Sequence, residues 1–296
     1  MVGVRHSDVN FDSADHYIVG TNGNDSGEVT YSATTPVAAL NFKPTGWMHL
    51  YASFGQGFQT PLGSELAYRP DGKAGLNFAL KPARSNNAEL GAKFQMSRDL
   101  NAEVAVFQTR TRNEIVVDTN IGGRSTYQNS GRTRRNGAEF SLDYRFADDW
   151  HLQLAETYVD ATYSDAYLTC VAAPCAIPTV RVPAGSRLPG VPRNNLYTTL
   201  HWGSELGWRA SANFQYMTNV AVNDVNSVRT SAYALVGADG GYAAELRRFR
   251  LTTFVRINNL LNRRYIGSVI VDDGNSRYFE PGPGFNVLAG INVTVK

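Results

Sequence analysis

The segment EFSLDYRF, residues 139–146, alternates strictly between polar and apolar side chains. Phe140, Leu142, Tyr144 and Phe146 fall on one face of an extended chain, and the polar residues between them fall on the other. In a soluble sandwich the apolar face of such a strand packs against a core. In a membrane barrel it contacts lipid, while the polar face lines an aqueous interior.

The same period recurs in WRASANFQY (208–216), FRLTTFVRIN (249–258) and FNVLAGINVTVK (285–296). No helical pattern of comparable length competes, and no run approaches the roughly 18 apolar residues of a membrane-spanning helix. The chain has 15 Tyr, 14 Phe and 27 Gly, which favours β-structure. Its net charge of +2 gives no reason to expect a nucleic-acid partner. The sequence therefore predicts an all-β chain.

The connections between the predicted strands alternate in length. Short turns are predicted at KPTG (43–46), SRDL (97–100), ADDW (147–150), GSEL (203–206) and ELRR (245–248), and longer polar segments near residues 11–27, 59–82, 113–126, 164–190, 218–231 and 262–284. A soluble sandwich has no reason to segregate loop length in this way, whereas outer-membrane barrels have short periplasmic turns and long extracellular loops. The pattern predicts a transmembrane antiparallel β-barrel region with about 12 strands and both chain ends on the short-turn side.

This topology makes predictions about side-chain positions. Glu139, Asp143 and Arg145 should face the lumen, and the basic run RTRR (132–135) should lie on the same wall, paired with Glu139 or Asp143. The tryptophans all lie close to short turns, which indicates an aromatic girdle at the periplasmic interface; they are Trp47, Trp150, Trp202 and Trp208.

The two cysteines, Cys170 and Cys175, lie in CVAAPC between strand-like segments. Two thiols with no histidine nearby are too few ligands for a metal site, so no metal is expected. We expect a local disulfide that braces a loop in an oxidising compartment, with free thiols as the alternative.

Four segments of the chain resemble sequence motifs of one family. They are YASFGQGFQTPLGSEL (51–66), LKPARSNNAELGAKF (80–94), INNLLNRRY (257–265) and GNSRYFEPGPGFNVLAGINV (274–293). Each alone is weak, because any turn uses Gly, Pro and Asn. In this order, on a chain of alternating loop lengths, they make essentially the whole chain resemble the β-barrel of TonB-dependent outer-membrane receptors of the siderophore-receptor type.

The resemblance implies a barrel of about 22 strands whose lumen holds an N-terminal plug domain. Such a barrel needs roughly 540 residues. We therefore expect residues 1–296 to be the C-terminal half of the barrel, without the plug domain and without a signal peptide. Family members usually end in an aromatic residue, whereas this chain ends in Lys296. The next position would lie on the apolar face, which fits the loss of one terminal aromatic residue.

The resemblance also implies a function, namely energised uptake of a ferric siderophore or a similar scarce nutrient across the bacterial outer membrane. The expected partners are the lipid bilayer, the missing plug and N-terminal strands, and the TonB system acting through the plug; no cofactor is expected. Ferric siderophores are often anionic or rich in catechol rings, so loop arginines and aromatic residues are expected to contact the ligand. These residues are Tyr68, Arg69, Arg124, Tyr127, Arg277 and Tyr278, and the alternative for each is a solvated or packing role.

Two other functional classes fit a chain of this length. An enzyme on a small barrel needs a histidine oriented by a polar partner beside a nucleophile. The histidines are scattered and none has such a setting, so no catalytic residue is expected; they are His6, His16, His49, His151 and His201. A self-closed passive pore of about 12 strands is the remaining alternative.

Overall fold

The computed structural model describes residues 1–20 and 22–295, which are nearly all strand and connection. Lys296 lies outside the described residues, and with it the expectation of a lost terminal aromatic residue. The only helix in the described part, α1 (Gly63–Leu66), has 4 residues. No helix in the described ranges is long and apolar enough to cross a membrane.

The strands, in chain order, are β1 (Val2–Ser13), β2 (Gly27–Thr45), β3 (Met48–Gln59), β4 (Ala83–Gln95), β5 (Leu100–Arg112), β6 (Ile115–Ile121), β7 (Arg124–Asn129), β8 (Arg132–Phe146), β9 (Trp150–Tyr163), β10 (Tyr167–Thr169), β11 (Val180–Val182), β12 (Asn194–Gly203), β13 (Gly207–Met217), β14 (Tyr233–Leu246), β15 (Phe249–Asn258), β16 (Ile266–Val269), β17 (Phe279–Pro281) and β18 (Asn286–Val295).

Twelve of these strands form one antiparallel sheet in the order β1-β2-β3-β4-β5-β8-β9-β12-β13-β14-β15-β18. The predicted all-β class and the strand number are therefore confirmed. Within the described residues β1 pairs only with β2, and β18 pairs only with β15. The sheet is therefore open, because its first and last strands are not paired with each other. Both of these strands present a row of unpaired backbone groups.

The predicted alternation of connection lengths is also confirmed. The short turns are residues 46–47, 96–99, 147–149, 204–206 and 247–248, and the long connections are residues 14–26, 60–82, 113–131, 164–193, 218–232 and 259–285. Three long connections contain small two-stranded sheets of their own, which pair β6 with β7, β10 with β11 and β16 with β17. These hairpins were not predicted from the sequence, which indicated only polar loops.

The pairing register assigns every side chain of the sheet to one of two faces, because directly opposite residues of an antiparallel pair share a face. In β8, Glu139 is opposite Ala105 and Asp143 is opposite Asn101. Arg145 is opposite His151 of β9. We call this side the polar face. The side that carries Phe140, Leu142 and Tyr144 is the apolar face.

The apolar face is uncovered along the sheet. Leu40 of β2 is 69% exposed, Leu90 of β4 is 59% exposed and Ile291 of β18 is 72% exposed. A soluble protein rarely leaves such a continuous apolar surface in water. Trp150 lies opposite Trp202 at the short-turn end, where both rings are exposed on this face, as in an aromatic girdle. These features are those of a transmembrane β-barrel wall.

The polar face contains close contacts between glycines and aromatic rings. The ring of Tyr51 lies over Gly91, and the ring of Phe107 lies over Gly137. A Cβ atom at Gly137 would overlap the Phe107 ring and would lie 2.6 Å from the carbonyl oxygen of Tyr158. Glycine is therefore required at this position by the close approach of β9, whose backbone cannot rotate away as a side chain can.

Candidate functional site

Five of the long connections pack together into a structure that we call the loop cap. It comprises residues 60–82, 113–131, 164–193, 218–232 and 259–285 together with the adjoining end of β9. Its core consists of Val116, Ala161, Tyr163, Val182 and Leu188, all of them buried. Long loops with their own hydrophobic core are held in place, so their exposed side chains keep defined positions.

Hydrogen bonds fix the connection 60–82 against the β6–β7 hairpin. The backbone N–H of Lys81 donates to Oδ1 of Asn129 (2.9 Å), and Nδ2 of Asn129 donates back to the carbonyl oxygen of Lys81 (2.9 Å). Nδ2 of Asn77 donates to the carbonyl oxygen of Tyr127 (3.2 Å). The segments that contain Tyr68 and Arg124 are therefore positioned together.

Tyr68 and Arg124, both predicted ligand contacts, meet in this cap. The guanidinium carbon of Arg124 lies 5.1 Å from the centroid of the Tyr68 ring, which is a cation–π distance. Tyr68 is 40% exposed, and Arg124 is exposed as well. Within the described residues Arg124 has no carboxylate partner. The pair therefore offers a cation and an aromatic ring to a molecule above the cap.

Arg69 and Tyr127 lie beside this pair but are more constrained. Arg69 donates two hydrogen bonds to the Asp71 carboxylate (2.7 and 3.0 Å). These bonds lower the pKa of Asp71 to about 2, so the carboxylate remains charged and compensates the charge of Arg69. Tyr127 is half-buried, and burial together with the charge of Glu65 raises its pKa.

The other predicted ligand contacts, Arg277 and Tyr278, have contrasting environments. Arg277 is exposed, whereas Tyr278 is 6% exposed and packs edge-on against Phe279 with ring centroids 6.2 Å apart. Both residues lie in the connection 259–285. This connection contacts the rest of the cap where the backbone N–H of Ala173 donates to the carbonyl oxygen of Gly274 (2.7 Å). Ligand contact by any of the six residues stays a prediction.

Cys170 and Cys175 are joined as a disulfide in the structure, with Cα atoms 5.8 Å apart. The loop that they close is docked on β6. The backbone N–H of Asn120 donates to the carbonyl oxygen of Cys175 (3.0 Å), and the N–H of Cys175 donates to the carbonyl oxygen of Asn120 (2.8 Å). The bridge thus braces a contact between two long connections.

A pair of carboxyl groups lies inside the cap and was missed by the sequence analysis. Asp224 is 1% exposed, and its Oδ1 accepts a hydrogen bond from the Tyr163 hydroxyl (2.5 Å). Its backbone N–H donates to Oδ1 of Asp272 (3.0 Å). Burial, followed by the charge of Asp224, raises the pKa of Asp272 to about 8, and burial raises the pKa of Asp224 as well. At neutral pH the pair therefore retains a proton.

The sequence carries no signal for this pair. The segments VNDVNS (222–227) and VDDGNS (271–276) are typical of turns in any loop. Asp224 and Asp272 are 48 residues apart and meet only because two long connections fold over β9. Only knowledge of the tertiary fold could have identified them.

Two acidic groups on the polar face below the cap have close polar partners. Oδ2 of Asp143 contacts Nε2 of His151 (2.8 Å) and accepts a hydrogen bond from Gln153 (3.1 Å). Lys93 forms an ion pair with Glu103 (2.8 Å). A concavity of about 540 Å³ near the short-turn end is lined by Lys93, Glu103, Asp143 and Gln153. The surface suits water and polar groups of another protein segment.

The prediction that RTRR lines the same wall is wrong for half of the run. Thr133 and Arg135 share the polar face, but Arg135 pairs with Glu114 (3.0 Å) and not with Glu139 or Asp143. Arg132 and Arg134 lie on the opposite side of β8. The physical reason is the two-residue period of a strand, which cannot place consecutive arginines on one face.

Comparison with known proteins shows the family. Residues 1–260 match the model of the TonB dependent receptor-like β-barrel. The chain belongs to the TonB-dependent receptor family. This confirms the resemblance found in the sequence, and the family is one of receptors and transporters.

Relatives of this TonB-dependent receptor barrel include a probable siderophore receptor and a pesticin receptor. The probable TonB-dependent siderophore receptor PiuA of Acinetobacter baumannii is 24% identical over 275 residues, which are 91% of this chain and 34% of that protein. The pesticin receptor of Yersinia enterocolitica is 25% identical over 214 residues, covering 67% of this chain and 28% of its own length. The chain thus spans about a third of the length of the curated relatives it matches.

Solved structures support the fold. The crystal structure of PiuA from Acinetobacter baumannii superposes with a TM-score of 0.72 at 20% identity, covering 99% of this chain and 40% of that one. The copper transporter OprC superposes with a TM-score of 0.73 at 15% identity, covering 98% and 44%. The open twelve-stranded sheet thus corresponds to part of a larger TonB-dependent receptor barrel.

Proposed function

We propose that this chain forms part of the wall and the extracellular loops of a bacterial outer-membrane receptor that takes up a ferric siderophore or a similar scarce nutrient. The observation that carries the proposal is the exposed Tyr68–Arg124 pair, which the packed loop cap holds at the long-connection end of the sheet. A guanidinium above a tyrosine ring fits an anionic, ring-rich ligand. The names of the relatives, among them siderophore receptors, support the same ligand class.

In this proposal the six loop residues have different roles. Tyr68 and Arg124 contact the ligand directly, and Arg277 supplies a further exposed cation. Arg69 and Tyr127, which are paired or half-buried, support the Tyr68–Arg124 pair from below. Tyr278 is buried and holds the backbone beside Arg277 in place.

The proposal includes energised transport. A plug domain inside the barrel, pulled by the TonB system, opens the path, while this chain supplies wall and loops. The polar face with Glu139, Asp143 and Arg145 then lines the lumen. Further strands pair with β1 and β18, because unpaired backbone groups are not tolerated in lipid. The open strand order of the described residues argues against a self-closed passive pore.

Substitution of the exposed pair tests the ligand assignment. In the receptor at its natural length, the double variant Y68A/R124A is expected to bind a ferric catecholate roughly tenfold to a hundredfold more weakly, because it loses a ring contact and a charge-assisted contact. Binding is measured by quenching of intrinsic fluorescence, with ferric hydroxamate and ferric citrate complexes in parallel.

A matched control is Y17A/R181A, which removes an exposed tyrosine and an exposed arginine outside the predicted set. This control is expected to bind as the unmodified receptor does. Equal affinities of the two double variants for all three iron complexes would contradict the assignment of Tyr68 and Arg124.

A further inference from the structure

Arginines form a ladder at the long-connection ends of three neighbouring strands. Arg84 of β4 lies opposite Arg112 of β5, and Arg112 lies opposite Arg132 of β8. One rung lower, Arg110 lies opposite Arg134. We call these five residues the arginine ladder. Like charges directly opposite each other destabilise a sheet unless an anion lies between them.

The ladder lies on the same side of the sheet as the apolar face. Along β8, Arg132 and Arg134 are in phase with Phe140 and Leu142, and the register carries this side across to the other two strands. Side-chain contacts agree with this assignment. Nε2 of Gln108 donates to Oδ1 of Asn136 in the rung directly below the ladder (2.8 Å).

The position of the ladder along the strands corresponds to the edge of a bilayer. From Phe146, in the girdle at the short-turn end, to Arg134 the strand rises by about 12 residues. At about 3.4 Å per residue and a tilt of about 40°, this is roughly 30 Å across the membrane. The apolar band of such barrels is about 25 Å tall. The ladder therefore lies at the head-group level of the leaflet on the long-connection side.

The charges of the ladder are mostly uncompensated. All five side chains are exposed. Arg132 is paired with Asp165 (2.7 Å), and Arg84 donates to the carbonyl oxygen of Ser32 (3.0 Å). Among the described residues Arg110, Arg112 and Arg134 have no carboxylate within ion-pair distance. Guanidinium groups bind phosphate through two parallel hydrogen bonds, so this cluster is chemically suited to a phosphorylated ligand.

We propose that the arginine ladder binds the phosphate groups of a lipid head group in the outer leaflet of the membrane. The bound phosphate groups hold the barrel wall at one height in the membrane and neutralise the repulsion between the arginines of the ladder. The proposal rests on the outer-membrane placement of the chain in the proposed function, but not on its ligand. Binding is expected to weaken with added salt, because exposed charges are screened.

The test uses the receptor at its natural length in detergent, titrated with bisphosphorylated lipid A and with fully dephosphorylated lipid A. The variant R110Q/R112Q/R134Q is expected to bind bisphosphorylated lipid A roughly a hundredfold more weakly than the unmodified receptor. The control R5Q/R209Q/R256Q makes the same charge change on the polar face and is expected to retain full affinity. The unmodified receptor is expected to bind dephosphorylated lipid A as weakly as the variant R110Q/R112Q/R134Q binds bisphosphorylated lipid A.

Two further measurements keep the outcome decisive. If the glutamine variant fails to fold, R110K/R112K/R134K retains the charge but lacks the paired donors, and roughly tenfold weaker binding is expected. Inorganic phosphate is expected to compete only weakly. Any one of three results would overturn the proposal. They are equal affinity of the receptor for both lipids, a loss of affinity in R5Q/R209Q/R256Q as large as that in R110Q/R112Q/R134Q, and inorganic phosphate bound as tightly as lipid A. Binding of ferric complexes is measured in a separate experiment. Failure of the proposed function can therefore be distinguished from failure of lipid binding by the arginine ladder.

Discussion

Replacement of Gly137 by valine is expected to abolish assembly of the barrel wall. The new side chain would overlap the Phe107 ring, and its Cβ would lie 2.6 Å from the carbonyl oxygen of Tyr158. Overpacking in an adaptable core costs about 1–3 kcal/mol. Here one obstacle is backbone of the paired strand β9, so the cost is at the upper end of this range or above it. The expected result is loss of the folded, heat-modifiable species from outer membranes.

The matched control is Gly240 of β14. A Cβ there would meet only the carbonyl oxygen of Arg209, at 3.6 Å, which is ordinary van der Waals contact. The G240V variant should therefore assemble normally. The double variant F107A/G137A should still fail, because removal of the ring leaves the Tyr158 carbonyl in place. Normal heat-modifiability of G137V would show that the register of β8 and β9 described here is wrong.

The loop cap is expected to become less stable as the pH rises from about 6 to about 8.5. Asp224 and Asp272 have raised pKa values in the folded cap, that of Asp272 about 8, against an ordinary value of 3.8. Between the ordinary and the raised value the folded cap therefore binds more protons than the opened cap. Stability is greatest at the acidic side of this window and is lost as the pH rises through about 8.

Hydrogen exchange of the cap measures this effect directly. After correction for the intrinsic pH dependence of exchange, protection of residues 160–168, 220–226 and 270–274 is expected to fall by roughly tenfold or more across the window. The D272N variant removes one titrating group and should make protection depend less steeply on pH. The neighbouring variant D273N makes the same chemical change outside the buried pair and should leave the pH dependence of protection unchanged. Protection that rises with pH, or identical profiles for D272N and D273N, would refute the shared-proton interpretation.

Strand periodicity explains how much of the fold was predictable from the sequence. In EFSLDYRF every second residue is apolar, and β8 places these residues on one face as predicted. Each short turn has few residues, and those residues favour turns. The number of short turns and their positions could therefore be predicted from the sequence to within a few residues. Local information determines this level of structure.

The loop cap could not be predicted in the same way. Its core joins Val116, Tyr163 and Val182, which come from three separate segments of the chain. The buried Asp224–Asp272 pair depends on the same long-range packing. The sequence predicts the whole RTRR run on one wall, although alternation divides its arginines between two faces. Pairing register, which a single sequence does not reveal, was needed to recognise the arginine ladder.

The twelve strands form an open section of a larger barrel wall. The most direct test is refolding of the 296-residue chain alone into detergent micelles, followed by a heat-shift gel and conductance recording in a planar bilayer. Because β1 and β18 are each paired on one side only, we expect aggregation, or β-structure without a stable channel. A compact, heat-modifiable species with a steady, discrete conductance would contradict the claim and show that the twelve strands close into a pore by themselves.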